Sequence, residues 1–132
     1  MDYVAPPEVP DTTYPYWLNT GRVIEHFHSR TKTKRVAQLH EMVPENYVEI
    51  CAADAKKIGV VSGNLVKVTS RRGSITVKCM VTETVLAGAV FIPMHFGDID
   101  PSDVAQNGGR QVAVNRLTMN WVDPVCGQPI YK

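Results

Sequence analysis

LVKVTSRRGSITVKCMVT, residues 65–82, is the stretch of this chain with the strongest strand pattern. Apolar and polar side chains alternate over residues 65–70 and again over residues 74–82, which is the period of a half-buried β-strand. Arg71 and Arg72, followed by a glycine, separate the two runs and predict a tight turn. The stretch therefore predicts a β-hairpin. The two arginines at its tip are expected to be solvated and to have no role in a site.

The flanking segments add further short strands and one short helix. YVEIC, residues 47–51, alternates like a strand, and AADAKKI, residues 52–58, predicts a helix that ends at Gly59. Extended pieces are also expected at residues 16–19, 89–93 and 112–118, with a surface loop over residues 96–110 and an irregular tail. Many short strands with a short helix or two predict an all-β fold, a compact β-barrel.

Composition and charge limit the protein to one globular domain. The chain has 132 residues, of which 44% are hydrophobic, and its net charge is +1. This balance argues against a generic nucleic-acid-binding protein, and no apolar run is long enough for a membrane span. The four prolines within residues 1–15 predict an extended arm or linker. The globular domain is therefore expected over residues 16–132.

The cysteines fit neither a metal site nor a disulfide framework. There are three of them, Cys51, Cys79 and Cys126. Their spacing matches no zinc or iron–sulfur pattern, and an odd number argues against complete pairing. Free thiols are typical of a reducing compartment, and the N-terminal residues lack a signal-peptide pattern, so a cytoplasmic location is expected.

A second informative stretch is LNTGRVIEHFHSRTKT, residues 18–33, in which Glu25 is the only acid. Backbone N–H groups at a glycine-containing turn, together with arginine and lysine side chains, can hold a polyanionic small molecule. A solvated basic loop is the alternative. Because its charges repel one another, the segment over residues 20–35 is expected to be mobile without a ligand.

These segments together resemble the C-terminal molybdopterin-dinucleotide-binding domain of the dimethyl-sulfoxide-reductase superfamily. The resemblance covers about residues 14–132. It rests on T-G-R-x-x-E-H-x-H-x-x-T-x-T at residues 20–33, S-R-R-G at residues 70–73, V-N-x-L-T at residues 114–118, and the P-x-Y-K ending. Within the superfamily, the chain is most similar to assimilatory and periplasmic nitrate reductases.

The resemblance implies a double-psi β-barrel that closes over a bis(molybdopterin guanine dinucleotide) molybdenum cofactor. It also implies that the whole enzyme reduces nitrate to nitrite. The implied partners are the remaining domains and an electron-donor protein. In the superfamily the molybdenum ligand and the iron–sulfur cysteines lie far N-terminal. This chain is therefore expected to be an excised domain without catalytic residues or activity of its own. The alternatives are a formate dehydrogenase α subunit or, outside the superfamily, a non-catalytic anion- or nucleotide-binding barrel.

The resemblance also implies a set of site residues. The set begins with Thr20, Gly21 and Arg22. Thr20 offers a hydroxyl, Gly21 can adopt a left-handed backbone, and Arg22 offers a guanidinium to a phosphate or a pterin carbonyl. The other cofactor-binding residues implied are Glu25, His26, His28, Ser29, Asn115 and Lys132, and Arg30, Thr31 and Thr33 are expected to complete the loop wall.

Three histidines carry open alternatives. Met94 and His95 are implied to lie near the substrate, although His95 could equally be an ordinary loop residue. His26 and His28 lack a third ligand for a metal, and a structural histidine bonded to the backbone is the alternative for either one. Trp17 and Trp121 are expected to be packing anchors.

Overall fold

Short strands and a few short helices make up the described part of the chain. The computed structural model describes residues 5–97 and 101–130. The strands are β1 (Trp17–Gly21), β2 (Tyr47–Cys51), β3 (Leu65–Thr69), β4 (Ser74–Thr82), β5 (Ala89–Pro93), β6 (Trp121–Val122) and β7 (Pro129–Ile130). The helices are α1 (Ala37–Met42), α2 (Ala52–Ile58) and α3 (Pro101–Gln106), with 3₁₀ turns at Thr33–Arg35 and Val114–Arg116. None of the helices in this part of the chain is long and apolar enough to cross a membrane.

The main sheet is mixed and open. Its strand order is β1-β5-β2-β4-β3. β1 runs parallel to β5 and β2 runs parallel to β4, whereas the β5–β2 and β4–β3 pairs are antiparallel. β6 and β7 form a separate antiparallel pair. The mostly-β prediction is confirmed, but the closed double-psi β-barrel is not, because the described strands do not close on themselves.

Alternate residues of the three central strands, β2, β4 and β5, supply much of the core. Ile75, Val77 and Cys79 of β4 are buried while the residues between them are more exposed, as the alternation of that strand predicts. They pack against Val48 and Ile50 of β2. Burial among these side chains raises the pKa of the Cys79 thiol above its ordinary value.

Several predicted elements are confirmed at or near the predicted bounds. The β3–β4 hairpin pairs Thr69 with Ser74 across its turn. β2, α2 and β5 also occur where they were predicted. Gly59 follows α2 in the left-handed region, with φ of 72°, and its N–H caps the helix.

A buried carboxylate ties α2 to the turn that precedes β5. Asp54 is 1% exposed. It accepts hydrogen bonds from Lys57 Nζ at 2.8 Å, from the Gly88 N–H at 2.6 Å and from Cys51 Sγ at 3.4 Å. The hydrogen bond from Lys57 is the main cause that lowers the pKa of Asp54. The carboxylate therefore stays charged and satisfied inside the fold.

Other segments differ from the prediction. β1 continues through Gly21, so the predicted turn at that residue is the end of a strand. α3 lies within the predicted surface loop, the 3₁₀ turn Val114–Arg116 replaces an extended piece, and α1 follows the basic stretch. These helices have six residues or fewer, too short for a helical period to be recognised, and tertiary contacts stabilise such pieces.

Two further side-chain expectations concern tryptophan and arginine. Trp17 and Trp121 are 41% and 40% exposed, so each is only partly covered, and their role as packing anchors stays a prediction. Arg71 and Arg72 at the hairpin turn are not simply solvated, because they form ion pairs with acidic residues of the N-terminal arm. The described part of that arm, residues 5–15, contains no helix or strand, as its prolines predict.

Candidate functional site

The ends of β1 and β5 place two of the predicted site segments side by side. The strands are parallel, and Gly21 lies opposite Pro93 in their register. The next residue, Met94, is 42% exposed, and its N–H donates to the Gly21 carbonyl at 3.0 Å. Because parallel strands end at the same edge of a sheet, the segments that follow Gly21 and Pro93 meet there.

Gly21 is needed for close packing rather than for its backbone angle. It is not among the glycines with a positive φ, so the predicted left-handed turn is wrong. A Cβ at this position would lie 2.9 Å from Cε2 of Phe91 on the neighbouring strand. The glycine therefore allows the Phe91 ring to lie across the end of β1.

His95 anchors the loop that follows β1. Its side chain is buried, and its Nε2 accepts a hydrogen bond from the Val23 N–H at 2.9 Å. Its Nδ1 contacts the carbonyl oxygen of His28, which can only accept, so the proton resides on Nδ1. Both ring nitrogens therefore bind loop backbone. The implied proximity of His95 to substrate stays a prediction.

His26 is a second anchor of the loop. It matches the alternative of a structural histidine bonded to the backbone. The ring is 4% exposed. Its Nε2–H donates to the Val43 carbonyl at 2.7 Å, which leaves Nδ1 to accept from the Thr33 hydroxyl at 3.1 Å. Burial is the main cause that lowers its pKa, and nearby Arg30 acts in the same direction. His26 is therefore neutral near pH 7 and joins the loop to the segment before β2.

Arg30 lies in the interior of the loop rather than on its wall. It is 1% exposed, and its guanidinium carbon lies 4.5 Å from the centre of the Phe96 ring. Its Nη1 donates to His40 Nδ1 at 3.3 Å. The His28 and Arg30 backbones have φ values of 45° and 63°, a region that residues other than glycine rarely adopt. Internal contacts thus hold the loop, contrary to the expectation that only a ligand orders it.

The outer face of this loop presents both polar and apolar groups. Arg22, His28 and Ser29 are exposed, and Ser29 Oγ lies 2.8 Å from Thr31 Oγ1. Ile24 is 96% exposed and Phe27 is also exposed. The face combines a guanidinium, an imidazole and hydroxyls with apolar side chains, a mixture suited to an anionic ligand that also has a flat ring system.

The remaining predicted residues lie at several depths and on different elements. Thr20 and Glu25 are half-buried. Asn115 is exposed in the 3₁₀ turn Val114–Arg116, and its carbonyl accepts from the Thr118 hydroxyl at 3.3 Å. Lys132 lies outside the described residues. The structure thus brings Gly21, Met94 and the loop together, while Asn115 belongs to a separate element.

Sequence reasoning missed the interior of the loop. His40 and Phe96 had no assigned role, yet both contact the Arg30 guanidinium. A buried arginine between an imidazole and an aromatic ring joins segments that are far apart along the chain. No local spacing in the sequence signals such a contact.

Comparison with known proteins decides the family. Residues 16–132 match the family described as Molydopterin dinucleotide binding domain. This chain belongs to that family. The resemblance to the dimethyl-sulfoxide-reductase superfamily is thereby confirmed, and the match covers nearly the whole chain.

The relatives of this molybdopterin-dinucleotide-binding domain are much longer proteins, and the domain matches one part of each. It is 45% identical over 129 residues to a nitrate reductase of Symbiobacterium thermophilum, covering 96% of the chain and 16% of that protein. It is 39% identical over 132 residues to the F420-dependent formate dehydrogenase subunit alpha of Methanocaldococcus jannaschii, covering 100% of the chain and 18% of that protein. The domain therefore spans less than a fifth of these relatives.

A solved structure supports the fold of the domain. Acetylene hydratase from Pelobacter acetylenicus superposes with a TM-score of 0.68 at 20% identity, covering 89% of this chain and 17% of that one. At this level of identity, the similarity concerns the fold alone.

Proposed function

We propose that this domain binds the molybdopterin guanine dinucleotide of a molybdenum oxidoreductase through the outer face of the loop over residues 22–29. The observation that carries the proposal is the preformed loop. His95 hydrogen-bonds to the loop backbone and the His26 side chain joins the loop to the Val43 carbonyl, while Arg22, His28 and Ser29 remain exposed. A loop that is ordered before the ligand arrives loses less conformational entropy on binding.

The chemistry of these side chains fits such a ligand. The Arg22 guanidinium can donate two parallel hydrogen bonds to a phosphate or a pterin carbonyl. The Ser29 hydroxyl and the His28 imidazole can hydrogen-bond to ring heteroatoms or sugar oxygens, and exposed Phe27 can cover an apolar surface. When bound, the cofactor supplies two-electron chemistry at molybdenum. The residues of this domain bind and orient it and supply no bond-making group.

Nitrate reduction is the activity we propose for the whole enzyme. The similarity to a nitrate reductase, at 45% identity, supports it. Formate oxidation is the second candidate, because relatives at 39% and 37% identity are formate dehydrogenase alpha subunits. The rest of the enzyme would provide the remaining contacts to the cofactor, an iron–sulfur cluster and the docking site for an electron donor. The buried free thiols of Cys51 and Cys79 favour a reducing, cytoplasmic compartment.

We also propose that the sheet is most of a double-psi β-barrel. Two parallel pairs interleaved with antiparallel pairs support this topology.

The cofactor site can be tested by metal and nucleotide content. In the full-length enzyme, Arg22→Ala removes a charge-assisted contact of about 1.5–3 kcal/mol. Purified Arg22→Ala enzyme should therefore retain less molybdenum and guanine nucleotide per molecule than wild type. Lys56→Ala, which removes an exposed charge from α2, is the matched control and should retain wild-type amounts. Equal contents in the two variants would exclude Arg22 from the site.

The substrate can be tested by assaying the full-length enzyme with nitrate and formate in parallel, using viologen dyes as electron donor or acceptor. Nitrite formation at a rate well above formate oxidation supports the proposal. The reverse ratio would replace it with formate dehydrogenase. The isolated 132-residue chain, mixed with cofactor and dye, should give background rates with both substrates.

A further inference from the structure

The arginine pair at the β3–β4 turn holds the N-terminal arm by several contacts. Arg72 Nη1 and Nη2 donate to the two carboxylate oxygens of Glu8 at 2.7 and 3.0 Å. Arg72 Nε also donates to the Leu117 carbonyl at 3.0 Å, which fixes the guanidinium on the domain. This is the bidentate geometry in which an arginine–carboxylate pair is most specific.

Arg71 holds the arm at a second point. It forms an ion pair with Asp11, and its guanidinium carbon lies 4.8 Å from the centre of the Tyr14 ring. Asp11 in turn accepts from the N–H groups of Thr13 and Tyr14, both at 2.8 Å, so the arm is folded into a turn at this point. The arm is thus held by charge, by an aromatic contact and by its own turn.

The held arm lines one side of a half-open, largely apolar cavity of about 250 Å³. Every strand of the main sheet contributes apolar lining; examples are Leu18, Ile50, Val66, Val68, Cys79 and Val90. Pro10, Tyr14 and Pro15 of the arm also line it, and the charged side chains of Glu8, Lys67, Arg71 and Arg72 lie at its edge with solvent-exposed surface. Apolar cavities of about 150 Å³ in proteins stay free of water and bind benzene, so a space of this size can take a small hydrocarbon.

We propose that residues 8–14 form a strap along this cavity, that Arg71 and Arg72 hold the strap in place, and that the cavity with the strap in place binds a small uncharged apolar molecule. The apolar side chains of the sheet favour an uncharged ligand, because a charged group placed against them would lose water without gaining a partner. The holding contacts lie near the surface, where salt screens ion pairs. The strap can therefore open at little cost and admit a ligand.

Binding can be tested with toluene and the 132-residue chain, followed by methyl NMR spectra. Toluene should give saturable shifts at the methyl groups of Ile50, Val66 and Val68. Val68→Phe, which fills part of the cavity, should abolish them. The proposal is overturned if no saturable shift occurs, or if the same shifts appear at the methyl groups of exposed Leu86.

The strap can be tested by backbone amide order parameters of residues 8–14. In wild type these should be near the rigid value of about 0.85, and in Arg71→Ala/Arg72→Ala they should fall below about 0.6. Arg35→Ala/Lys56→Ala removes the same charge from other exposed positions and should leave the strap ordered. About 1 M sodium chloride should reduce the order of the wild-type strap, because the Debye length is then about 3 Å.

A charge swap separates a specific pairing from a general loss of structure. Glu8→Arg alone should release the strap, and Glu8→Arg combined with Arg72→Glu should restore order to at least part of it. Toluene should bind roughly fivefold more weakly when the arginine pair is removed, because the cavity then loses one wall. A strap that stays ordered without the arginines, or toluene affinity that does not change, would overturn the proposal.

Discussion

His95 shows how one residue sets the shape of the candidate site. A histidine next to the end of a strand could be expected near the substrate or as an ordinary loop residue, and its ring here lies against the loop backbone and is 3% exposed. The Val23 N–H and the His28 carbonyl are its partners. The contribution of His95 to the site is to position a backbone segment whose outer face carries Arg22 and Ser29.

His95→Ala should lower the free energy of unfolding by about 2–4 kcal/mol, because it leaves a donor and an acceptor of the loop backbone without their partner. His28→Asn is the matched control. Its side chain is exposed and asparagine tolerates the positive φ of 45°, so we expect a change below about 0.5 kcal/mol. Urea denaturation measures both, and similar losses in the two variants would contradict the anchoring role.

Gly21→Ala should lower the free energy of unfolding by about 1–2 kcal/mol, because the new methyl group meets the Phe91 ring. Gly97→Ala is the control. A Cβ there has no atom within 4 Å, and the expected change is below about 0.5 kcal/mol. Phe91→Leu introduced together with Gly21→Ala should recover part of the loss. A loss that Phe91→Leu leaves unchanged would show that the backbone, and not the ring, requires glycine.

At the scale of elements, α2 is held by one buried carboxylate rather than by its length. A helix of seven residues is too short to be stable alone. Asp54 connects it to the turn before β5 through the Gly88 N–H. The sequence pattern correctly predicted the bounds of the helix, but it gave no sign of this contact between Asp54 and Gly88.

Asp54→Ala should therefore lower the free energy of unfolding by about 2–3 kcal/mol, because the Gly88 N–H loses a buried acceptor. Lys57→Ala removes the other partner, whose side chain is 70% exposed, and should have a clearly smaller effect. Thermal and urea unfolding of the two variants provide the measurement. If Lys57→Ala is as destabilising as Asp54→Ala, the ion pair rather than the backbone contact holds the helix.

At the scale of the whole molecule, stability should depend on pH through His26. Its folded-state pKa lies below the ordinary value of 6.5, so the unfolded chain binds the proton more readily. The stability from neutral His26 is fully present above pH 6.5 and is lost as the pH falls through the lower, folded-state pKa. Acidic groups with lowered pKa values, such as Asp54, also make the protein less stable as the pH falls, but only in more acidic solution.

The test is the free energy of unfolding between about pH 5 and pH 8, measured for wild type and for His26→Gln. The glutamine amide can still donate to the Val43 carbonyl but takes up no proton in this range. The decline of stability toward pH 5 should therefore be shallower in the variant. Parallel curves for the two proteins would show that His26 does not produce the pH dependence.

Local sequence determined much of the sheet and the helix after β2. Alternation in residues 65–82 predicts both strands of the hairpin, because side chains of a strand point to opposite faces with a period of two. The short apolar run of β5 and the glycine after α2 are equally local signals. The same is true of the family resemblance, which rests on motifs readable along the chain and is confirmed over residues 16–132.

Tertiary structure decided which residues of the candidate site face inward and which contacts join distant segments. The sequence placed His26, His28, Arg30 and His95 in or near one site without showing which of them are buried. The fold buries all but His28, because the loop must satisfy its own polar groups against segments that lie many residues away. The pairing of Arg72 with Glu8 is likewise a contact between distant residues. Local patterns predict the period and bounds of elements, whereas such pairings depend on how the elements pack.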